Sequence, residues 1–482
     1  MKRPFELFVA IVTVFALLGM AISALAQEST PGEPTVVSES VITAPVHRPS
    51  APGTLIVPNS SLPQTPPTGH HFAANTNVEI LVPAGITPNE APPFAGYGFE
   101  TPASLACVYA LVTTISGCNP NSTVNVPTGG SQTIAIVDAY DDPSAAGDLA
   151  WFSLQFGVPL TASQFDVVWA NTALSSCLST GVPTDFTGGW ELEESLDIEW
   201  AHAMAPGAKI YLVEACSKLD SDLQQAVLVA NNLVQCGKSE INPSTGVLGT
   251  CPSVTGKGEV SMSWGGGEFS GETGTGCAVT NTTVNDSCFT GLNVVYVAAT
   301  GDGPGVLWPS TSGNVVAAGG TTNRRFYSNL NFEQQAAWVD GGGGQSFFEP
   351  LPSYQSGIAT FCKAQTGTST HRCVPDLSFD ADPNTGVWVY DTFPIDGVSY
   401  LEWLIVGGTS VSAPSLAGII NRAGSFAASS QAELTTIYAN HTNTADFTDV
   451  TAGFCGFYMS FTAGSGWDPC TGVGTPKGYA GK

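Results

Sequence analysis

The sequence predicts an α/β fold, a single large domain with a mostly parallel sheet flanked by helices. Short apolar runs of strand length alternate with longer stretches of helical periodicity, which is the pattern of β-α-β units. The composition agrees: 43% hydrophobic and 11% charged residues, with 54 Gly and 33 Pro, are typical of a well-packed, loop-rich chain and not of a disordered one. In such sheets the functional loops gather at the carboxyl ends of the strands.

The apolar runs and the helical patterns follow one another from residue 134 onward, and no internal repeat interrupts them. The predicted strands are 134–137, Phe165–Trp169, 209–214, 260–264, Val294–Ala299 and 315–318. The predicted helices are Ala145–Phe156, 191–204 and 221–234.

The N-terminus has the features of a signal peptide over residues 1–26. Lys2 and Arg3 precede an apolar run at 7–18, and Ala24-Leu25-Ala26 forms a small-x-small cleavage site. The apolar run could alternatively anchor the chain, but it is short and nothing downstream resembles a second membrane segment. We therefore expect export and cleavage.

A change in composition near residue 96 divides the remaining chain. Residues 27–95 are rich in Pro, Ser, Thr and Asn with little periodicity, which predicts a Pro-rich leader or a short prosegment. Residues 96–482 then form the large domain.

Twelve cysteines agree with export. None shows the CxxC spacing of a zinc or redox site, so disulfides are the better interpretation, although sequence alone does not fix their connectivity. Ten cysteines fall into pairs close in sequence, leaving Cys177 and Cys216; the pairs are Cys107/Cys118, Cys236/Cys251, Cys277/Cys288, Cys362/Cys373 and Cys455/Cys470.

The charge balance excludes several partners. Forty acidic residues face fourteen basic ones, giving a formal charge of -26. Phosphate binding needs clustered Lys and Arg, so we expect neither nucleic acid nor an anionic membrane as a partner. The balance also favours an acidic habitat, because self-repulsion fades as carboxylates become protonated.

The sharpest local motif is the string from Gly407 to Pro414, GGTSVSAP, which leads into the helical residues 415–422. A Ser at the start of a helix, here Ser410, lies among unpaired backbone N–H groups, which can hold the oxyanion of a tetrahedral intermediate. A simple Ser/Thr helix cap after a Gly turn is the alternative for a shorter string. The whole string resembles the serine motif of subtilisin-like peptidases.

A subtilisin would also need a histidine base. The six histidines are His47, His70, His71, His202, His371 and His441, and none has the expected neighbours. An ordinary Ser-His-Asp triad is therefore not predicted, and another group must take the serine proton.

Glu193 and Asp197 are candidates for that group. They are four residues apart on a predicted helix, so they share one face. Two carboxyl groups at such a short distance share a proton and titrate as a pair. Such a pair can act as a base in acid, where a histidine stays protonated. The alternative is a solvated acidic helix face.

These motifs together resemble the sedolisin family, serine-carboxyl peptidases that share the subtilisin fold. The resemblance spans roughly residue 101 to the C-terminus in one consistent order. It rests on the ExxxD helix that runs through LDI to APGA at 205–208, SWG at 263–265, GD at 301–302, and the stretch from VPD at 374–376 to DADP at 380–383. The short leader departs from the family pattern, as does Gly303, where a small hydroxyl residue is common.

The resemblance implies a role for each catalytic residue. Ser410 would be the nucleophile, Glu193 the general base and later acid, and Asp197 the residue that holds Glu193 and tunes its proton. Asp302 would donate a hydrogen bond to the oxyanion as a neutral carboxylic acid. Asp138 could extend the proton network, with Trp264 packed nearby, although both could equally be structural.

A calcium site is implied near the C-terminus. Calcium prefers several hard oxygen ligands, and Gly-rich loops let backbone carbonyls converge. By resemblance the ligands are the side chains of Asp449 and Asp468 with the carbonyls of Val450, Gly464 and Gly466, and the alternative is two ordinary Asp turns.

The sequence thus predicts a secreted, monomeric, acid-acting serine-carboxyl endopeptidase that hydrolyses polypeptide substrates, carries Ca²⁺ and does not bind membranes once the signal is removed. Two alternatives stay open. One is a subtilisin-like peptidase that uses a histidine not placed above, and the other is an inactive secreted binding protein on the same fold.

Overall fold

The computed structural model describes residues 35–37, 53–83, 92–93, 96–367, 370–398 and 402–482, and all of them belong to one unit, Pro34–Lys482. The predicted signal peptide lies outside the described residues. Within these residues no helix is both long enough and apolar enough to cross a membrane.

The strands and helices are numbered in chain order. The strands are β1 Thr35–Val37, β2 Gly53–Val57, β3 Asn75–Thr76, β4 Glu79–Pro83, β5 Thr133–Ala139, β6 Phe165–Trp169, β7 Lys209–Ala215, β8 Gly258–Met262, β9 Trp264–Gly265, β10 Val294–Ala299, β11 Val316–Arg325, β12 Phe332–Ala337, β13 Gly344–Pro350, β14 His371–Val374, β15 Leu377–Asp380, β16 Val387–Tyr390, β17 Trp403–Gly407, β18 Phe447–Thr448, β19 Phe454–Cys455, β20 Phe461–Thr462 and β21 Thr475–Pro476. The helices are α1 Pro102–Val108, α2 Ala145–Phe156, α3 Gly189–Met204, α4 Asp220–Cys236, α5 Ala359–Thr366, α6 Thr409–Ala423 and α7 Ser430–Ala439.

The central sheet has eight strands, in the order β12-β11-β10-β8-β5-β7-β6, with β15 also paired to β11. All of its pairings are parallel except that of β11 with β12. The predicted α/β class with a mostly parallel sheet is therefore confirmed.

Both faces of the central sheet are covered, as a parallel sheet requires. Along β5, Ile134 and Ile136 belong to the core cluster that contains α3 and α6, whereas Ala135 and Val137 belong to the cluster on the opposite face that contains α4. This alternation follows from the two-residue period of a strand. It puts Asp138 on the same face as α3 and α6.

A second, antiparallel sheet of five strands has the order β1-β2-β4-β17-β16. Three of its strands, β1, β2 and β4, come from the Pro-rich leader. Strand β4 pairs directly with β17, the strand that leads into the serine motif. The leader therefore supplies strands to the sheet beside that motif.

Six disulfides join all twelve cysteines. Five of them are the local pairs predicted from the sequence, and the sixth joins the remaining two, Cys177 and Cys216. Export into an oxidising compartment agrees with this complete pairing.

Candidate functional site

The site forms where the carboxyl ends of the parallel strands meet the amino end of α6. Asp138 is the penultimate residue of β5, Ser263 directly follows β8, and Asp302 follows β10. The close crossing of α3 and α6 completes the site; a side chain at Gly418 would lie 2.7 Å from Cβ of Met204. Residues distant in sequence therefore face one another across this edge of the sheet.

Ser410 is fully buried in the first turn of α6. Its Oγ donates to the carbonyl of Ser263 at 3.1 Å and accepts from the N–H of Asn77 at 3.2 Å. Its own N–H, one of the donors left free at a helix start, donates to the carbonyl of Asn77 at 3.1 Å. A carbonyl group therefore already lies against the amide of Ser410.

Gly408, just before the helix, has a positive φ of 110° and cannot be replaced without strain. A side-chain carbon there would lie 2.0 Å from the Asn77 carbonyl oxygen and 2.5 Å from Asp302 Oδ2. The two oxygens thus converge on one point beside the nucleophile, and only glycine leaves room for both.

Asp302 presents its two carboxyl oxygens differently. Oδ1 accepts the N–H of Thr409 at 2.7 Å and its hydroxyl at 2.8 Å. Oδ2 is buried and has no hydrogen-bond partner among the described residues. Burial raises the pKa of Asp302 to about 7, with Thr409 lowering and Asp340 raising it. A proton held on Oδ2 could be donated toward the point shared with the Asn77 carbonyl.

Helix α3 is buried along its whole length, and its acidic residues are buried with it. Burial is the main cause that raises the pKa of Glu193 well above 4.5, and the charge of Asp138 raises it further. The nearby Ser410 hydroxyl acts in the opposite direction and lowers this pKa. Neither Glu193 oxygen has a hydrogen bond of ordinary geometry within the described residues. The solvated acidic face is therefore wrong, and Glu193 is available to exchange a proton.

Asp197 lies one turn beyond Glu193 and accepts the hydroxyl of Ser263 at 2.8 Å. Burial, Asp138 and Glu193 raise its pKa, and Ser263 lowers it. Burial raises the pKa of Asp138 to about 8, and Trp264 donates its ring N–H to the Val137 carbonyl, which fixes the adjacent backbone. Glu193, Asp197 and Asp138 therefore form one group of carboxyls that compete for protons.

Glu194 points into a different environment. Burial and then Glu214 and Asp142 raise its pKa, and no hydrogen-bond partner reaches its carboxyl oxygens within the described part of the chain. The helix register thus directs Glu193 to Ser410 and Glu194 toward Glu214 and Asp142, with Asp138 raising the pKa of both glutamates.

Comparison with known proteins decides the family. The model of the subtilase family of peptidases matches residues 186–457, more than half of the chain. The chain belongs to the subtilase family.

Within that family the similar proteins are sedolisins, so the predicted relationship is confirmed. Kumamolisin from Bacillus sp. (strain MN-32) is 33% identical over 73% of this chain and 59% of its own length. Sedolisin from Pseudomonas sp. (strain 101) is 33% identical over 35% of this chain and 28% of its own length. The chain therefore spans less than two thirds of these curated relatives.

The fold likeness extends to a solved structure. A Pseudomonas sedolisin, described as a serine-carboxyl proteinase in complex with two molecules of pseudo-iodotyrostatin, superposes with a TM-score of 0.54. Its sequence identity is 22%, and the superposition covers 79% of this chain and 95% of the other. The subtilisin-like fold predicted from the sequence is confirmed.

The five histidines that the structure describes do not supply a base for Ser410. His202 lies nine residues beyond Glu193 on α3, about 13 Å along the helix. Burial lowers its pKa to about 4. The other histidines in the described residues bond elsewhere or stack, as His71 does on Phe269, and none is a hydrogen-bond partner of Ser410.

Three residues of the site were not predicted as functional. Ser263 lies between Asp197 and Ser410: its hydroxyl donates to Asp197, and its Oγ is 3.3 Å from the carbonyl oxygen of Ser410. Thr409 bonds Asp302, and Asn77 lies against Ser410. The SWG and GTS motifs contain the first two, whereas nothing local in the sequence marked Asn77.

The carboxylates of two predicted calcium ligands, Asp449 and Asp468, lie against one Gly-rich loop of this subtilase. The N–H of Gly464 donates to Asp468 at 3.1 Å, and the N–H of Gly466 donates to Asp449 at 3.1 Å. Asp468 is buried, which raises its pKa to about 6. The described residues hold no cluster of three or more His, Cys, Asp or Glu side chains suited to a metal, so backbone carbonyls would have to supply the remaining ligands. Two carboxylates that meet at a Gly-rich loop fit Ca²⁺ in donor type.

Proposed function

We propose that this chain is a secreted serine-carboxyl endopeptidase that hydrolyses polypeptides in acid, with Ser410 as the nucleophile. The observation that carries the proposal is the burial of the Ser410 hydroxyl beside a group of carboxyls whose pKa values are raised, with no histidine bonded to it in the described residues. Family membership and the six disulfides support a peptidase that acts outside the cell.

The first step is transfer of the serine proton. A carboxyl group with a raised pKa is a stronger base than an exposed one, so Glu193 can take the proton as Ser410 Oγ attacks the peptide carbonyl. Asp197 and Asp138 share protons with Glu193 and keep one member of the group available as an acceptor. Glu193 then returns the proton to the leaving amine, and water releases the acyl group by the reverse path.

The second requirement is a place for the negative charge that forms on the carbonyl oxygen. The N–H of Ser410 and the protonated Oδ2 of Asp302 are aimed at one point beside Gly408. Donors fixed in advance stabilise the transition state without reorganisation at the moment of reaction. Because an ionised carboxylate only accepts hydrogen bonds, Asp302 can serve as a donor only while it is protonated.

Digestion of an unfolded protein substrate tests the reaction class. Mass mapping of the products should show cuts at internal bonds when the digestion is run in acid, and few or none when it is run above neutrality. The same substrate incubated in acid without enzyme reports spontaneous hydrolysis. Products released only from chain ends, or digestion strongest above neutrality, would contradict an acid endopeptidase.

We also propose a structural Ca²⁺ held by Asp449, Asp468 and the carbonyls of Val450, Gly464 and Gly466. The convergence of both carboxylates on the Gly464–Gly466 loop supports it. The ion would balance the negative charge of the buried Asp468 carboxylate and would join two segments of the C-terminal region.

Removal of calcium should therefore destabilise the fold. A ligand that binds only the folded state stabilises it by about 2.7 kcal/mol at a concentration of 100 times Kd, so a chelator should lower Tm by several degrees. The Asp468→Ala variant should have lost this sensitivity to chelator, whereas Asp166→Ala, at an exposed position outside the loop, should retain it. An unchanged melting curve in chelator, with no metal detected in the purified protein, would refute the site.

A further inference from the structure

One wall of the cleft that Asp302 lines is made by a loop and a strand that are distant in sequence. The loop spans residues 266–289, which we name the wall loop, and the strand is β13. Glu268 of the wall loop lines the cleft together with Gly344 and Phe347 of β13. The shape of this wall therefore depends on the contacts that hold the loop to the strand.

Glu268 makes the first of these contacts. Ser346 donates its hydroxyl to Oε1 of Glu268, and the N–H of Phe347 donates to Oε2 at 3.0 Å. The N–H of Glu349 in turn donates to Ser346 Oγ at 2.8 Å. The carboxyl group of Glu268 thus binds β13 through both of its oxygens.

Two pairs of carboxyl groups extend this contact into the interior. Glu272 shares a hydrogen bond with Glu268 within the wall loop, and Glu349 of β13 shares one with Asp286 near the end of the loop. Glu272 is fully buried and Glu349 is 3% exposed. Because an ionised carboxylate only accepts hydrogen bonds, each pair forms only while one of its two members holds a proton.

The surroundings of Glu272 leave this proton in the pair. Its Oε2 accepts the N–H of Phe269 at 2.7 Å, whereas no donor from the described residues reaches the buried Oε1. The nearby histidine, His71, stacks on Phe269 with ring centroids 4.4 Å apart. A second carboxyl, that of Glu268, therefore supplies the remaining hydrogen bond of Glu272.

The second pair faces a positive charge that is bonded elsewhere. Arg372 lies near Glu349 and Asp286, and its charge lowers the pKa of both. Its guanidinium donates to Asp376 at 2.7 Å and to the hydroxyl of Tyr354, whose own pKa is raised by burial. Oε1 of Glu349 has no donor among the described residues, so this pair also depends on a shared proton.

We propose that the two carboxyl pairs fasten the cleft wall in a proton-dependent way, so that the wall loop stays closed on β13 in acid and opens as pH rises. On opening, each pair releases one proton to solvent and both of its members become carboxylates. Glu268 then no longer holds the wall, and the cleft loses its shape for polypeptides. This inference concerns regulation of the proposed peptidase site, and its meaning for catalysis rests on that proposed function.

The pKa values agree with this direction. Burial is the main cause that raises the pKa of Glu272 to about 9 and that of Glu349 to about 10. In the open loop both return to the ordinary value of 4.5, so the closed form is fully stabilised below pH 4.5 and loses stability as pH rises through the raised values. Both lie above the pKa of Asp302, about 7, so the pairs still hold their protons when Asp302 ionises.

The test is hydrogen–deuterium exchange of the purified Ser410→Ala chain, which cannot digest itself, measured from about pH 5 to about pH 8. Exchange reports openings that are too rare to affect activity. Opening releases about two protons, so the opening equilibrium constant of the wall loop and β13 should increase about hundredfold per pH unit, after correction for the intrinsic exchange rate.

Glutamine substitutions in the same chain count the protons. Gln keeps a neutral donor but does not titrate, so Glu272→Gln and Glu349→Gln should each reduce the slope to about tenfold per pH unit. The double variant should nearly abolish the slope. Glu402→Gln, at an exposed position outside both segments, should keep the slope of the Ser410→Ala chain.

Two results would overturn the proton-dependent fastening. One is a slope of about tenfold per pH unit or less in the Ser410→Ala chain, and the other is a slope that the double variant leaves unchanged. Neither measurement depends on turnover, so the proposed peptidase function stands in both cases. A wild-type chain that hydrolyses no polypeptide in acid would instead refute the proposed function, whatever the exchange slopes show.

Discussion

Replacement of Ser410 by Ala is expected to abolish peptide hydrolysis, lowering kcat by roughly 10⁴- to 10⁶-fold, the loss typical of a missing serine nucleophile. The variant should still fold. Ser410 Oγ makes two hydrogen bonds in a site that is otherwise closely packed, and losing a typical hydrogen bond costs only about 1 kcal/mol. The measurement is hydrolysis of a chromogenic peptide in acid, together with a melting curve.

Ser412→Ala is the matched control for Ser410→Ala. Ser412 lies in the same motif and is equally buried, but its hydroxyl donates to the Gly319 carbonyl and not to the carboxyl group of Glu193. It should lose some stability and keep most of its activity. If Ser410→Ala retained more than about a hundredth of wild-type turnover, the nucleophile would have to be another residue.

Glu193→Gln should be nearly as damaging, because general acid–base catalysis contributes roughly 10²- to 10⁴-fold and Gln cannot accept the serine proton. Glu194→Gln should be mild. Glu194 has no hydrogen bond to Ser410, and burial with Glu214 and Asp142 favours its neutral form, whose shape and lack of charge Gln reproduces. Turnover of both variants is compared with wild type in acid.

This pair of variants tests the helix register as well as the chemistry. A severe loss in Glu194→Gln with a mild one in Glu193→Gln would mean that the other carboxyl serves Ser410. Equal and severe losses with lowered Tm in both would point to structural damage, and the claim that Glu193 is the base would fail.

The parallel sheet could be predicted because each strand carries its own signal, a short apolar run bounded by turns. The antiparallel sheet could not. Its strand β4 pairs with β17, more than 300 residues later, and a pairing that distant leaves no local pattern in either segment. The leader was interpreted as irregular for the same reason, since β2 and β4 become recognisable as strands only beside their partner.

The parts of the site that depend on short sequence spacings could be predicted. Glu193 and Asp197 share a face by helix geometry alone, and the structure brings that face to Ser410. The burial of Glu194 was not predictable, because the sequence of α3 is equally compatible with a solvated acidic surface. Only the crossing of α3 with α6 and the sheet removes the helix from water.

The roles of Thr409 and Asn77 depend on contacts between distant segments. Thr409 bonds Asp302 across 107 residues, and the amide of Asn77 bonds Ser410 across 333. No periodicity or motif in a single sequence reports such contacts, so the environment of Asp302 and the contact of Asn77 with Ser410 could be known only from the fold.

The central claim is that two carboxyl groups work in opposite protonation states. Activity should rise with pH as the Glu193/Asp197 pair loses a proton. This rise should lie above pH 4.5, the ordinary pKa of a glutamate, because burial and Asp138 raise the pKa of Glu193. Activity should fall as pH passes about 7, where Asp302 ionises and can no longer donate to the oxyanion. The profile is a bell confined between these limits.

The most direct test is the pH dependence of kcat/KM for wild type, Asp302→Asn and Asp340→Asn. Wild type should be most active below about 7, the pKa to which burial raises Asp302. Asp302→Asn keeps a neutral donor, so whatever activity it retains should lose the high-pH decline. Asp340→Asn removes a negative charge that raises the pKa of Asp302, so its decline should move to lower pH. A wild-type optimum at or above neutrality, or a high-pH limb that is the same in all three proteins, would contradict the mechanism.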